Sequence, residues 1–201
     1  MSWIETIAYK QASGRLRKLY DRIKGPDDNV DNIMLAHSLR PHTMEAHMAL
    51  YKHVIHHSSN TLAKSYLETV GVYVSMLNEC EYCIDHHFAG LCRLLQDQKR
   101  ANAIRSALEN EEPAAAFHGK ELAGLNYARM LTADPSAVDA QDIDELRESG
   151  FDDGEILELN QVSAYFAYAN RTVLGLGINT GGDVLGLSPG DSDDSSNWSH
   201  L

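Results

Sequence analysis

Two cysteines three residues apart, followed by a histidine pair, mark where this chain could do chemistry. In NECEYCIDHHFAG, residues 78–90, they are Cys80, Cys83, His86 and His87. The thiolate is the reactive form of cysteine, and a helix N-terminus or a nearby imidazole favours it. At about 100° per residue, Cys80, Cys83 and His87 share a narrow sector of a helix, while His86 points away. Cys83 and His87 form an i,i+4 pair, a spacing that brings side chains together. Two thiols so placed can close a disulfide. With a base nearby they can also reduce a hydroperoxide. One thiolate attacks the peroxide oxygen and becomes a sulfenic acid, and the second resolves it to a disulfide. The i,i+4 contact favours Cys83 as the thiol that His87 activates. The helix terminus favours Cys80, which is also expected to be the more accessible. The cysteines are therefore assigned as a pair.

The base needs a partner to orient it, and the preceding helix offers one. Glu68 is the sole acid in LAKSYLETVGVYVSMLN. From the buried face of a helix antiparallel to the cysteine helix, it could reach His87. The alternative is that Glu68 faces water. Zinc is a competing reading, with Cys80, Cys83, His87 and Glu68 as four ligands. Three ligands on one helix make a poor tetrahedron, so no metal and no cofactor are assigned. Inert structural cysteines are a further alternative. Cys92, on the same helix, reads as a buried small hydrophobe.

Helical periodicity runs through the elements that must position these residues. SGRLRKLYDRIKG puts Leu16, Leu19, Tyr20 and Ile23 on one side and ends at Gly25-Pro26. VDNIMLAHSLRP is a short helix stopped by Pro41. HTMEAHMALYKHVIHHSS is amphipathic and ends in histidines that read as a solvated helix end, with His53 and His57 at metal-clamp spacing. His37, upstream, is a candidate pocket residue, as are Tyr82 and His86. Asn60 is a plausible N-cap for the Glu68 helix, and Asn78 with Glu81 for the cysteine helix. VGVYVS within the Glu68 helix has strand propensity, but its surroundings are helical. Asp97 opens DQKRANAIRSALENEEP, GKELAGLNYARMLTADP follows, and Gly150 closes VDAQDIDELRESG. Asp152 with Glu155 starts a last long helix. Within it, Tyr165, Tyr168, Asn170 and Arg171 read as core and interface. GLGINTGG follows a helix rather than a strand, so it is the end of that helix and not a dinucleotide fingerprint. The chain is all-α.

The 201 residues suit one domain, assigned to residues 1–187, with a polar acidic C-terminal tail over 188–201. SPGDSDDSSNWSHL is disordered on composition, though Trp198 and His200 are candidates to dock on the domain or on a neighbouring subunit. A formal net charge of −12 leaves no basic stripe for nucleic acid and no attraction to an anionic membrane. No apolar run reaches transmembrane length, and the N-terminus has no continuous signal-peptide core. A cytoplasmic location is the expectation, and three cysteines fit a reducing compartment.

The stretch ETVGVYVSMLNECEYCIDHH resembles the signature of the alkylhydroperoxidase D-like proteins of the carboxymuconolactone decarboxylase superfamily: a glutamate, eleven intervening residues, then C-x-x-C-x-x-x-H. Here those positions are Glu68, Cys80, Cys83 and His87. VDNIMLAHSLRPHTMEAHMALYKHV and AYFAYANRTVLGLGI resemble the uncharacterised peroxidase-related branch, and the likeness extends from about Ile33 to Ile178. It implies a multi-helix fold built around a helical hairpin carrying the CxxC. It implies a peroxidase in which a glutamate–histidine relay, often through water, activates the dithiol. It also implies a homo-oligomer, trimeric or hexameric. The partners are then a hydroperoxide substrate and a thiol or dithiol reductant. One position departs: the best-known members carry a histidine where this chain has Tyr82, so their reductant is not carried over. Non-redox decarboxylase relatives lack the cysteine pair. The reading from a different class is a non-enzymatic redox sensor or structural helical oligomer.

Overall fold

The computed structural model describes residues 2–190, 192–194, 197 and 198. Among them are nine α-helices and no β-strand. At the centre is α4, Lys64–Leu77, whose residues from Tyr66 to Ser75 are all buried. A helix that is apolar on every side must be enclosed. It is enclosed by α5, Glu81–Leu95, running back beside it, and by α7, Gly119–Ala133, and α9, Asp153–Leu176. The β-branched run Val70, Val72 and Val74 is helical because this burial outweighs its strand propensity. Around this core lie α1, Gly14–Ile23, α2, Asn32–Ala36, α3, Pro41–Ile55, α6, Gln98–Glu109, and α8, Ala140–Glu148. No described helix is long and apolar enough to cross a membrane.

Several terminus signals are met. Leu16, Leu19, Tyr20 and Ile23 are the buried face of α1. The Asp97 carboxylate accepts from Arg100 N–H, and Asp152 with Glu155 forms a reciprocal capping box. Gly150 and Gly177 both have positive φ after their helices.

Two caps differ from expectation. Asn78 closes α4 instead of opening α5. Its side-chain amide donates to the Val74 carbonyl and to Asn170 Oδ1. Glu79 then takes a left-handed conformation, φ 55°, and Cys80 itself is the N-cap of α5. Asn60 likewise finishes α3, donating to the His53 and Val54 carbonyls, and α4 begins only at Lys64. In both places an asparagine's N–H groups satisfy orphan carbonyls at the end of one helix.

The described part of the C-terminal tail is docked. Backbone carbonyls just before and within the tail meet side-chain donors: Arg93 donates to Leu185 and Gly186 at the end of the domain, and buried Lys52 donates to Gly190 in the tail. Ser192 N–H donates to the His56 carbonyl, and Trp198 is buried 5.9 Å from the Tyr51 ring. Composition argues for disorder because the tail has few apolar side chains. Its backbone is held instead by the Lys52 ammonium and the His56 carbonyl. His200 lies outside the described residues.

At the α4–α9 crossing a Cβ on Gly71 would overlap the Phe166 ring. Phe166 also packs edge-on against His87, ring centroids 4.6 Å apart. Gly71→Ala is expected to destabilise the protein by about 1–3 kcal/mol through overpacking. Urea unfolding checks this, and an unchanged midpoint would mean that the crossing is loose.

Candidate active site

Glu68 on α4 and His87 on α5 meet across the hairpin. Glu68 is 2% exposed, and its Oε2 lies 2.8 Å from His87 Nδ1. A carboxylate accepts only, so Nδ1 carries the proton and Nε2 is left as the basic nitrogen. The relay pair expected from the sequence is therefore in hydrogen-bond contact.

The dithiol sits one turn earlier on α5. Both cysteines are free thiols and buried, Cys80 at 0% and Cys83 at 3% exposure. Cys80 is thus not the more accessible of the two. The Asn78–Glu79 turn folds its backbone N–H onto the Ser75 carbonyl, 2.9 Å away, and packs it with Ala36, Val173 and Ile178. The Cys83 thiol and backbone N–H both donate toward Cys80, and with Asn170 they hold the Cys80 thiol below its ordinary range against the opposing effect of burial. Cys83, which keeps the shared proton, is pushed well up by that bond, by burial and by the charge of Cys80. Cys80, at the helix terminus, is therefore the more acidic thiol. Cys83, four residues before His87, lines the same cavity as Glu68 and His87.

Asn170 is a site residue that sequence reasoning placed in the core. Its amide donates to Ser75 Oγ at 3.0 Å and its Oδ1 accepts from Asn78, beneath the two sulfurs. An asparagine on the otherwise apolar face of AYFAYANR was the available signal. Cys92 is half-buried rather than enclosed.

The cavity has a volume of about 60 Å³ and is walled by Cys83, Glu68, His87, Tyr51, Tyr165 and Trp198. That is room for about two water molecules. Tyr82 and His86 also border it, but both turn to Asp183. The Tyr82 hydroxyl donates to Asp183 Oδ2 at 2.8 Å and accepts from Ile33 N–H, and His86 Nε2 lies 3.2 Å from the same oxygen. Burial, then the Asp183 charge, holds the Tyr82 phenol proton in place. Tyr82 ties α2, α5 and the C-terminal segment together. Asp183 was missed because nothing in its glycine-rich surroundings marks it.

His37 does not line the cavity. It borders a separate surface groove, its Nδ1 2.8 Å from the Ile33 carbonyl and its ring stacked 5.0 Å from His47. His47 is the cavity residue. The histidines at the end of α3 are not all solvated either: His56 is buried. Among the described residues, no three His, Cys, Asp or Glu side chains are grouped to hold a metal ion.

Residues 41–130 match the model of the carboxymuconolactone decarboxylase family. No curated protein matches the chain. The fold is similar to that of an uncharacterized peroxidase-related protein from Silicibacter sp. TM1040, 21% identical with a TM-score of 0.77, over 89% of this chain and 91% of that one. It is equally similar to an uncharacterized peroxidase-related protein with an alkylhydroperoxidase AhpD core from Ralstonia eutropha JMP134, 22% identical with a TM-score of 0.77, over 89% and 91%. The debrominase Bmp8 is 16% identical with a TM-score of 0.68, over 89% and 90%. At these identities the likeness establishes the fold.

Two outcomes follow from this geometry. Asn170→Leu removes a donor to the thiolate and is expected to slow alkylation of the dithiol by iodoacetamide severalfold at neutral pH; an unchanged rate would leave Asn170 a packing residue. His47 is pushed from the usual 6.5 down to about 3, by burial first and then by His37. Between those limits the unfolded chain binds a proton that the folded chain refuses. The stability contributed by neutral His47 is therefore intact above this range and lost as pH falls, by about 1.4 kcal/mol per unit. His47→Gln is expected to flatten the acid-side decline of the urea midpoint, and an undiminished slope would contradict this.

Proposed function

We propose that the protein is a thiol-dependent peroxidase that reduces hydroperoxides with its Cys80–Cys83 dithiol and a Glu68–His87 proton relay. The observation that carries this reading is the buried Glu68–His87 hydrogen bond opening onto the cavity that Cys83 lines. The family match over residues 41–130 and the likeness to peroxidase-related folds support it.

In the proposed cycle the resting pair carries one proton, on Cys83. His87 Nε2 accepts that proton, and Glu68 holds the resulting imidazolium. The Cys83 thiolate attacks the terminal peroxide oxygen. The O–O bond breaks, the leaving oxygen takes the proton back from His87 as alcohol or water, and Cys83 becomes a sulfenic acid. The Cys80 thiolate then attacks the Cys83 sulfur, and hydroxide departs and is protonated to water. The dithiol has lost two electrons and the hydroperoxide has gained them. An external thiol or dithiol reopens the disulfide.

The burial of both sulfurs favours a second reading, in which the dithiol is a sensor oxidised once per reductive cycle without sustained turnover. Steady-state assays with hydrogen peroxide and an organic hydroperoxide, each run with dithiothreitol and a dithiol carrier, separate the two. Cys80→Ser and Cys83→Ser are each expected to abolish turnover, with a dimedone-trapped sulfenic acid on Cys83 in the Cys80 variant. His87→Ala is expected to lower the rate by about 10²–10⁴. Parent-like turnover in either serine variant sinks the peroxidase, and stoichiometric oxidation alone supports the sensor.

A further inference from the structure

Glu68 has two oxygens, and His87 uses one. The other, Oε1, faces a second imidazole. His56, the residue just past the end of α3, places its Nε2 3.9 Å from Glu68 Oε1, and its ring is 0% exposed. Neither ring nitrogen of His56 has a hydrogen-bond partner among the described residues. The ring packs against the edge of Tyr51, centroids 4.7 Å apart.

A neutral imidazole must carry a proton on one nitrogen, and a buried N–H without an acceptor is costly. The groups facing His56 decide whether it is neutral. From α3 come Lys52 and Tyr51, from α4 Lys64 and Glu68, and from α5 His87. Burial above all, then the Lys64, His87 and Lys52 charges, hold it well below the ordinary histidine range. The imidazole is therefore a neutral donor in need of an acceptor, beside a carboxylate oxygen with acceptor capacity to spare. The 3.9 Å gap is too narrow for an intervening water.

We infer that His56 is a positioning residue: it donates Nε2–H to Glu68 Oε1 and keeps the carboxylate ionised while His87 gains and releases the proton. This rests on the relay reading above. In a dry site, a carboxylate that loses one of two donors holds its proton more readily. His56 thereby lets Glu68 support an imidazolium at His87 without taking the proton itself.

Protein carrying ¹⁵N-labelled histidine tests the first half without turnover. His56, assigned by the signal lost in His56→Gln, is expected as the neutral Nε2–H tautomer from about pH 5 to 8. A neutral Nδ1–H tautomer, or an imidazolium in that range, overturns the inference. The second half is read from the rate of dithiol oxidation by hydrogen peroxide against pH. In His56→Leu the acid limb is expected to move up by about one unit, a tenfold change in proton concentration. His56→Gln, which keeps an amide N–H near the Nε2 position, is expected to restore it. A limb that stays put in His56→Leu, or moves equally in both variants, overturns the positioning role. If the parent oxidises without turning over, the peroxidase reading falls while the tautomer still decides for or against His56.

Discussion

A carboxylate inside a helical core needs partners, and that requirement organises this protein. Glu68 is the one acid on a helix enclosed from every side. Removing it from water is tolerable because His87 donates to it across the α4–α5 hairpin. The same contact fixes the tautomer of His87, whose side chain lines the cavity. The hairpin turn is equally committed. Asn78 stitches the end of α4 to Asn170 on α9, and Glu79 reverses the chain so that Cys80 caps α5 with its sulfur beneath Cys83. The Glu68–His87 pair and the dithiol are thus two products of one supersecondary unit.

The division between the cysteines follows from that placement. Cys80 has lost solvent but gained three donors, whereas Cys83 has given up its proton's freedom and faces the cavity. The more acidic thiol and the cavity-lining thiol are separated by one helical turn. Reactivity at one sulfur therefore depends on the protonation of the other, so the two thiols titrate as a pair.

The helices were largely legible from period and caps. The apolar stripe of α1 and the Asp152–Glu155 box read directly off the chain because both are local. Cys80, Cys83 and His87 were legible because their spacing sets them on one sector of a helix, whereas spacing left Glu68 open between core and water and the resemblance singled it out. What stayed hidden was long-range. Asn60 and Asn78 carry the same side chain whether they open a helix or close one, and only the tertiary path decides. His47 rather than His37 lines the cavity because a ring packed one layer back looks the same in sequence as one at the wall. Asp183 lies about a hundred residues from Tyr82, and no local pattern announces their hydrogen bond.

The wall of the cavity has a consequence for how the protein is made. Tyr51, Glu68, Cys83 and His87 leave the ribosome long before Leu187, Pro189 and Trp198, which complete the enclosure. Domains generally take shape from the N-terminus as synthesis proceeds. The nascent hairpin therefore presents its thiols to the surroundings for the seconds it takes to translate the remaining half of the chain. Throughout that interval its redox state is set by the compartment rather than by the site.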